Sequence, residues 1–126
     1  MKTMILLFLL SPVNVTGLAQ NDIHKQTVDT LLKQLNDNNF EEIYQSFSPK
    51  MQQFRTKKYF FQFFSKLKIE QGTLLFLELY DYRSNSRNMS TGIYNGQFEI
   101  GRSRVTVTVD SQGKITGLYF KKETAF

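Results

Sequence analysis

Apolar positions along this chain keep two different periods, and the switch between them falls at Gly72. Before it, Val28, Leu31, Leu32 and Leu35 recur at i, i+3, i+4 and i+7, the spacing of one helix face. Thr27 or Asp29 can cap that helix, and Asn36-Asp37-Asn38-Asn39 ends it, because short amides and carboxylates compete for backbone hydrogen bonds. A second, shorter helix places Phe40, Ile43, Tyr44 and Phe47 on its apolar side. Ser48-Pro49 breaks it and can begin another turn, since proline is tolerated at the first helical position. A third helix is predicted over 56–68, with Phe60, Phe61, Phe63, Phe64 and Leu67 covering more than one face.

After Gly72 the period is two. Thr73 to Tyr82 alternates, with Leu75, Leu77 and Leu79 on one face and Leu74, Phe76, Glu78, Tyr80 and Tyr82 on the other. Both faces are largely apolar, so this strand is expected to be covered on both sides. A polar loop over 83–88 leads to a second strand over 89–100, where Gly92 and Gly96 permit a bulge or tight bend. Arg104 to Val109 is a third strand, with Val105, Val107 and Val109 inward. Asp110-Ser111-Gln112-Gly113 makes a hairpin turn, and Ile115 to Lys121 closes the sheet. Helices first and strands last predict an α+β fold, with N-terminal helices packed on a curved antiparallel sheet of about four strands.

The first 19 residues have another character. Lys2 precedes an uncharged run from Met4 to Leu10, and Gly17-Leu18-Ala19 offers small residues where a signal peptidase cuts. The expected organisation is a signal peptide over 1–19, a flexible tail over 20–26, one domain over 27–122 and a C-terminal tail over 123–126. The run is shorter than the roughly 20 residues that span a bilayer, so no integral membrane segment is expected after cleavage. The expected location is periplasmic or extracellular, in a bacterium. The chain has no cysteine, so stability must come from a core rather than disulfides. Its twelve phenylalanines suit a dense core or an apolar pocket. A net charge of +5 falls short of the clustered basic excess of a nucleic-acid binder, and no nucleic-acid partner is expected.

The segment Asn39-Phe40-Glu41-Glu42-Ile43-Tyr44-x-x-Phe47-Ser48, followed by Met51 to Gly72 and a strand meander, resembles the nuclear transport factor 2-like superfamily. The likeness runs from Thr27 to Lys122 and is strongest to a small bacterial branch found alone or beside serine hydrolase and penicillin-binding-like domains. Such domains often carry a tryptophan in the helix before the glycine, where this chain has Phe63-Phe64. The resemblance implies a cone: a bent sheet wraps a helix and leaves a pocket at the open end. Members use that pocket for isomerase or dehydratase chemistry, for ligand binding or for no known purpose, and many pair through the outer sheet face. Fold alone does not choose among these.

Candidate chemistry is sparse. His24 is the sole histidine and falls in the expected tail, so neither a metal site nor a histidine triad is signalled, and no cofactor is expected. In a cavity, Glu78 or Asp81 could abstract a proton beside a carbonyl while the hydroxyl of Tyr80 or Tyr82 hydrogen-bonds the oxyanion. A structural role for these carboxylates is the simpler reading. The basic aromatic stretch from Arg55 to Lys68 has core spacing, with its lysines near the helix ends. The leading reading is a non-enzymatic exported module that binds a small apolar ligand, itself or another exported protein. Phe60, Phe64, Phe76, Tyr80, Tyr94 and Phe98 are the expected pocket lining. The alternative is an isomerase- or dehydratase-like enzyme using Glu78 or Asp81 with Tyr80 or Tyr82.

Overall fold

A computed structural model of the chain describes residues 19–123. The export-signal expectation therefore lies outside the described residues, apart from Ala19. Four helices come first: α1 (Gln20–Asn36), α2 (Phe40–Gln45), α3 (Pro49–Phe54) and α4 (Lys57–Gln71). Four strands follow, β1 (Leu74–Ser84), β2 (Ser90–Phe98), β3 (Arg102–Val109) and β4 (Ile115–Lys122), and they form an antiparallel meander in sequence order. The α+β expectation is met.

Helix boundaries follow local chemistry. Ser48 accepts a hydrogen bond from the Met51 N–H and Pro49 opens α3; Thr56 caps α4 by accepting from the Tyr59 N–H. Gly72 ends α4 at φ 77°, a conformation that favours glycine. A Cβ there would also stand 2.5 Å from Glu99 Oε1. That carboxylate accepts from the Thr73 N–H at 2.8 Å, fixing the helix-to-strand corner.

The segment over 20–26, expected to be a frayed tail, instead forms the first two turns of α1. The buried face of α1 is His24, Val28, Leu31 and Leu35, so the apolar stripe extends one turn upstream through a histidine. At its other end, Asn36 acts as a surrogate strand residue. Its amide donates to the Leu74 carbonyl at 2.8 Å and accepts from the Leu74 N–H at 2.9 Å.

The core lies between the helices and one face of the sheet. Phe47, Phe64, Phe98, Val105, Val107, Val109 and Ile115 are buried there, and Phe47 meets Phe60 edge-on at 4.8 Å. Burying each such aromatic contributes on the order of 2–3 kcal/mol. β1 departs from simple alternation. Register breaks between Leu74 and Phe76 and between Leu79 and Asp81 place Leu77, Leu79 and Tyr82 opposite Gly96, Tyr94 and Gly92 on the inner face. Nor is β1 covered on both sides. It is an edge strand, and Leu75, Phe76, Leu79 and Tyr80 are 54–64% exposed.

Candidate functional site

Four of the six expected pocket residues, Phe60, Phe64, Tyr94 and Phe98, are buried in the core. Phe76 and Tyr80 lie on β1 and are exposed, so the structure does not bring the six together. Phe76 stands opposite Gln97 on the outer face, and the guanidinium of Arg104 lies 4.5 Å above the Tyr80 ring. Where a cone could hold a ligand, the chain's own rings pack: Phe40 against Phe64 at 5.6 Å, Tyr44 against Phe60 at 6.0 Å, and Phe63 against Phe120 at 5.8 Å. A groove of about 560 Å³ does exist, between Tyr44 and the turn from Phe54 to Tyr59, but none of the six lines it.

The carboxylate and tyrosine group is also divided. Glu78 is exposed on the outer face, and Asp81 pairs with Arg83 at 3.0 Å. Only Tyr82 of the four turns inward among the helices, where its hydroxyl is buried without a hydrogen-bond partner. No group of three His, Asp or Glu side chains converges among the described residues.

The structure does assemble a polar cluster that sequence reasoning missed. His24 is 2% exposed, and both ring nitrogens are engaged. Nδ1 lies 2.7 Å from Ser90 Oγ, and Nε2 lies 2.9 Å from the Tyr94 hydroxyl. Tyr82 meets the ring edge-on at 5.2 Å. Gln20 donates its amide to Ser90 Oγ at 3.0 Å and to the Asp110 carbonyl at 3.2 Å. One tautomer satisfies His24, Ser90 and Tyr94 together. With the proton on Nδ1, His24 donates to Ser90, Ser90 donates to the Val109 carbonyl at 3.5 Å, and Tyr94 donates to Nε2.

Burial lowers the His24 pKa, because charging the ring would require desolvating a cation. Burial also pushes the Tyr94 hydroxyl up to about 12, reinforced by Asp29 and Tyr82. Both shifts favour the neutral pair. With its proton on Nδ1 the ring donates to Ser90 and cannot take the serine proton, so this arrangement is not that of an activated serine nucleophile. Ser90 is fully buried, and the cluster ties α1 to β2. The signal for His24 was in the sequence: it lies four residues before Val28, on the same helical face.

No described helix is long and apolar enough to cross a membrane. No curated protein and no solved structure matches the chain. A family model described as "Protein of unknown function (DUF3887)" matches residues 28–118, nearly all of the helices and sheet laid out above. The chain belongs to the DUF3887 family.

Proposed function

We propose that this protein is an exported, non-enzymatic interaction module of nuclear transport factor 2-like architecture that pairs with a second copy through the outer face of its sheet. The observation that carries the reading is a self-complementary pattern across that face. Strand register aligns Glu78, Asn95, Arg104 and Lys121 in one transverse row, acidic at the β1 edge and basic toward β4. The next row is Asp81, Ile93, Thr106 and Tyr119.

Laid face to face about a two-fold axis parallel to the strands, two copies reverse these rows. Glu78 then meets the partner's Lys121, Asn95 meets the partner's Arg104, and Asp81 meets the partner's Tyr119. An isologous interface requires this kind of reciprocity. Tyr119 is 70% exposed, and with Phe76 and Tyr80 it supplies the apolar area that such a face would cover. Packed sheets lie about 10 Å apart, close enough for these side chains to interleave. Export is supported by Lys2, the run from Met4 to Leu10 and Gly17-Leu18-Ala19.

Light scattering on the purified chain across a concentration series tests the pairing. A dimer is expected, with Lys121→Glu or Glu78→Lys weakening it and the double exchange restoring it. A monomer at every concentration, or a dimer indifferent to both charges, would sink the reading. Intact mass of the chain recovered from a secreting bacterial host tests export, with Gln20 expected as the first residue.

A further inference from the structure

The first two turns of α1 are held to the sheet in an unusual way. The helix starts at Gln20, and the side chain of Ala19 before it offers no cap. Of the residues over 20–26, His24 is buried and only Gln20 and Ile23 are partly buried; the rest are exposed. Attachment of this segment therefore rests on the Gln20 amide and the His24 ring, with Ile23 as its one apolar contact to the core and the Thr27 hydroxyl donating to the Gly113 carbonyl at 3.1 Å just beyond it. Farther along, Val28, Leu31 and Leu35 bury apolar surface and need no polar contact to stay docked.

What surrounds His24 determines its response to a second proton. From β1 it faces Tyr82, from β2 it faces Ser90 and Tyr94, and from its own helix the Gln20 amide shares Ser90. β3 brings Val107, opposite Gly92, and the backbone carbonyl of Val109. None of these carries a formal charge. Asp29, the carboxylate that acts on Tyr94, is exposed and paired with Lys25 at 2.8 Å. A charged imidazole would thus be buried with no counter-ion. Its Nε2 would also become a donor aimed at Tyr94, leaving the tyrosine proton without its acceptor.

We propose that His24 is an acid-released latch: neutral, it holds the first two turns of α1 to the sheet, and charged, it lets them go. Release exposes the inner surface formed by Ser90, Gly92 and Tyr94 while α4 and the remaining core stay packed. Such a device needs an element of low local stability biased by one titrating group, and the uncapped helix start supplies that element.

Because the chain has one histidine, its ring signals are unambiguous in an NMR titration of the full chain from about pH 8 to about pH 5. The expected result is a ring titrating below the range of a free histidine, with the Ser90 and Tyr94 amide signals following the same curve. Hydrogen exchange over 20–28, corrected for its intrinsic pH dependence, should accelerate about tenfold or more across the same change, with α4 unaffected. His24→Gln should abolish that pH dependence. An ordinary titration, unchanged protection over 20–28, or simultaneous loss of protection in α4 would each overturn the latch. The wild-type measurements decide this even if the variant fails to fold.

Discussion

The imidazole of His24 reaches the hydroxyl of Tyr94, seventy residues away in the chain, because Gly92 places no side chain between them. A Cβ at Gly92 would stand 2.6 Å from His24 Nε2 and 2.7 Å from the Tyr94 hydroxyl. Both atoms belong to buried rings already fixed by hydrogen bonds, so neither yields easily.

Gly92→Ala is therefore expected to destabilise the fold by about 1–3 kcal/mol, the usual cost of overpacking a dense site. Urea unfolding measures it. In a His24→Ala background the same substitution should cost much less, since the obstructing ring is gone. Equal costs in the two backgrounds would show that the clash is not with His24.

Global stability should fall with acidification in a window that His24 sets. Its pKa is lowered in the folded chain, so the unfolded chain binds more protons between the folded value and the ordinary 6.5. The contribution is fully present above about pH 6.5 and is lost progressively as pH falls toward the folded value. One proton limits the slope to about 1.4 kcal/mol per pH unit. Comparing wild type with His24→Gln by urea unfolding removes the background from carboxylates. Identical slopes for the two proteins would count against it.

At the alkaline end the sign reverses. Tyr94 is held neutral up to about 12, so ionising it costs folding free energy that an unfolded tyrosine does not pay. Stability is expected to drop as pH rises from about 10 toward 12, and Tyr94→Phe should remove that part of the drop. Absorbance at the tyrosinate band, followed alongside circular dichroism, would show whether the last ionisation and unfolding coincide.

A second buried polar pair offers an independent check of the core. Ser103 donates to Gln71 Oε1 at 2.9 Å, and both residues are buried. Ser103→Ala should cost about 1–3 kcal/mol by stranding the amide carbonyl. Adding Gln71→Leu should recover part of that loss, because removing both polar partners costs less than removing one. Additive losses in the double variant would mean that the pair is not coupled.

Most of the architecture was legible because it depends on local pattern. Gly72, Ser48-Pro49, Thr56 and the Val105–Val107–Val109 alternation each announce themselves within a few residues. β1 was misjudged because two register breaks shift its faces, and alternation counted from Leu74 cannot register an inserted residue. The strand's apolar content suggested cover on both sides, whereas its place at the sheet edge is a tertiary fact. The His24 cluster was hidden for a related reason. Its hydrogen-bond partners lie 66 and 70 residues away, and a lone histidine in a polar stretch looks like tail until the helical stripe is extended backward through it. The six expected pocket residues part company because four are buried in the core while Phe76 and Tyr80 stand exposed on β1. Phenylalanines that could line a cavity are equally able to fill it, and packing density settles which.

The register breaks in β1 have a consequence for how this chain behaves in a crowd. A long, flat, greasy edge strand is a template on which further chains can stack into fibres. Here the breaks at Leu75 and Tyr80 interrupt the row of free backbone donors and acceptors, and Glu78, Asp81 and Arg83 set charges among the exposed rings. Along β1 no uninterrupted run is left of the six or seven residues that a steric zipper typically needs. The exposed rings of β1 thus sit on an edge that offers a poor template for stacking.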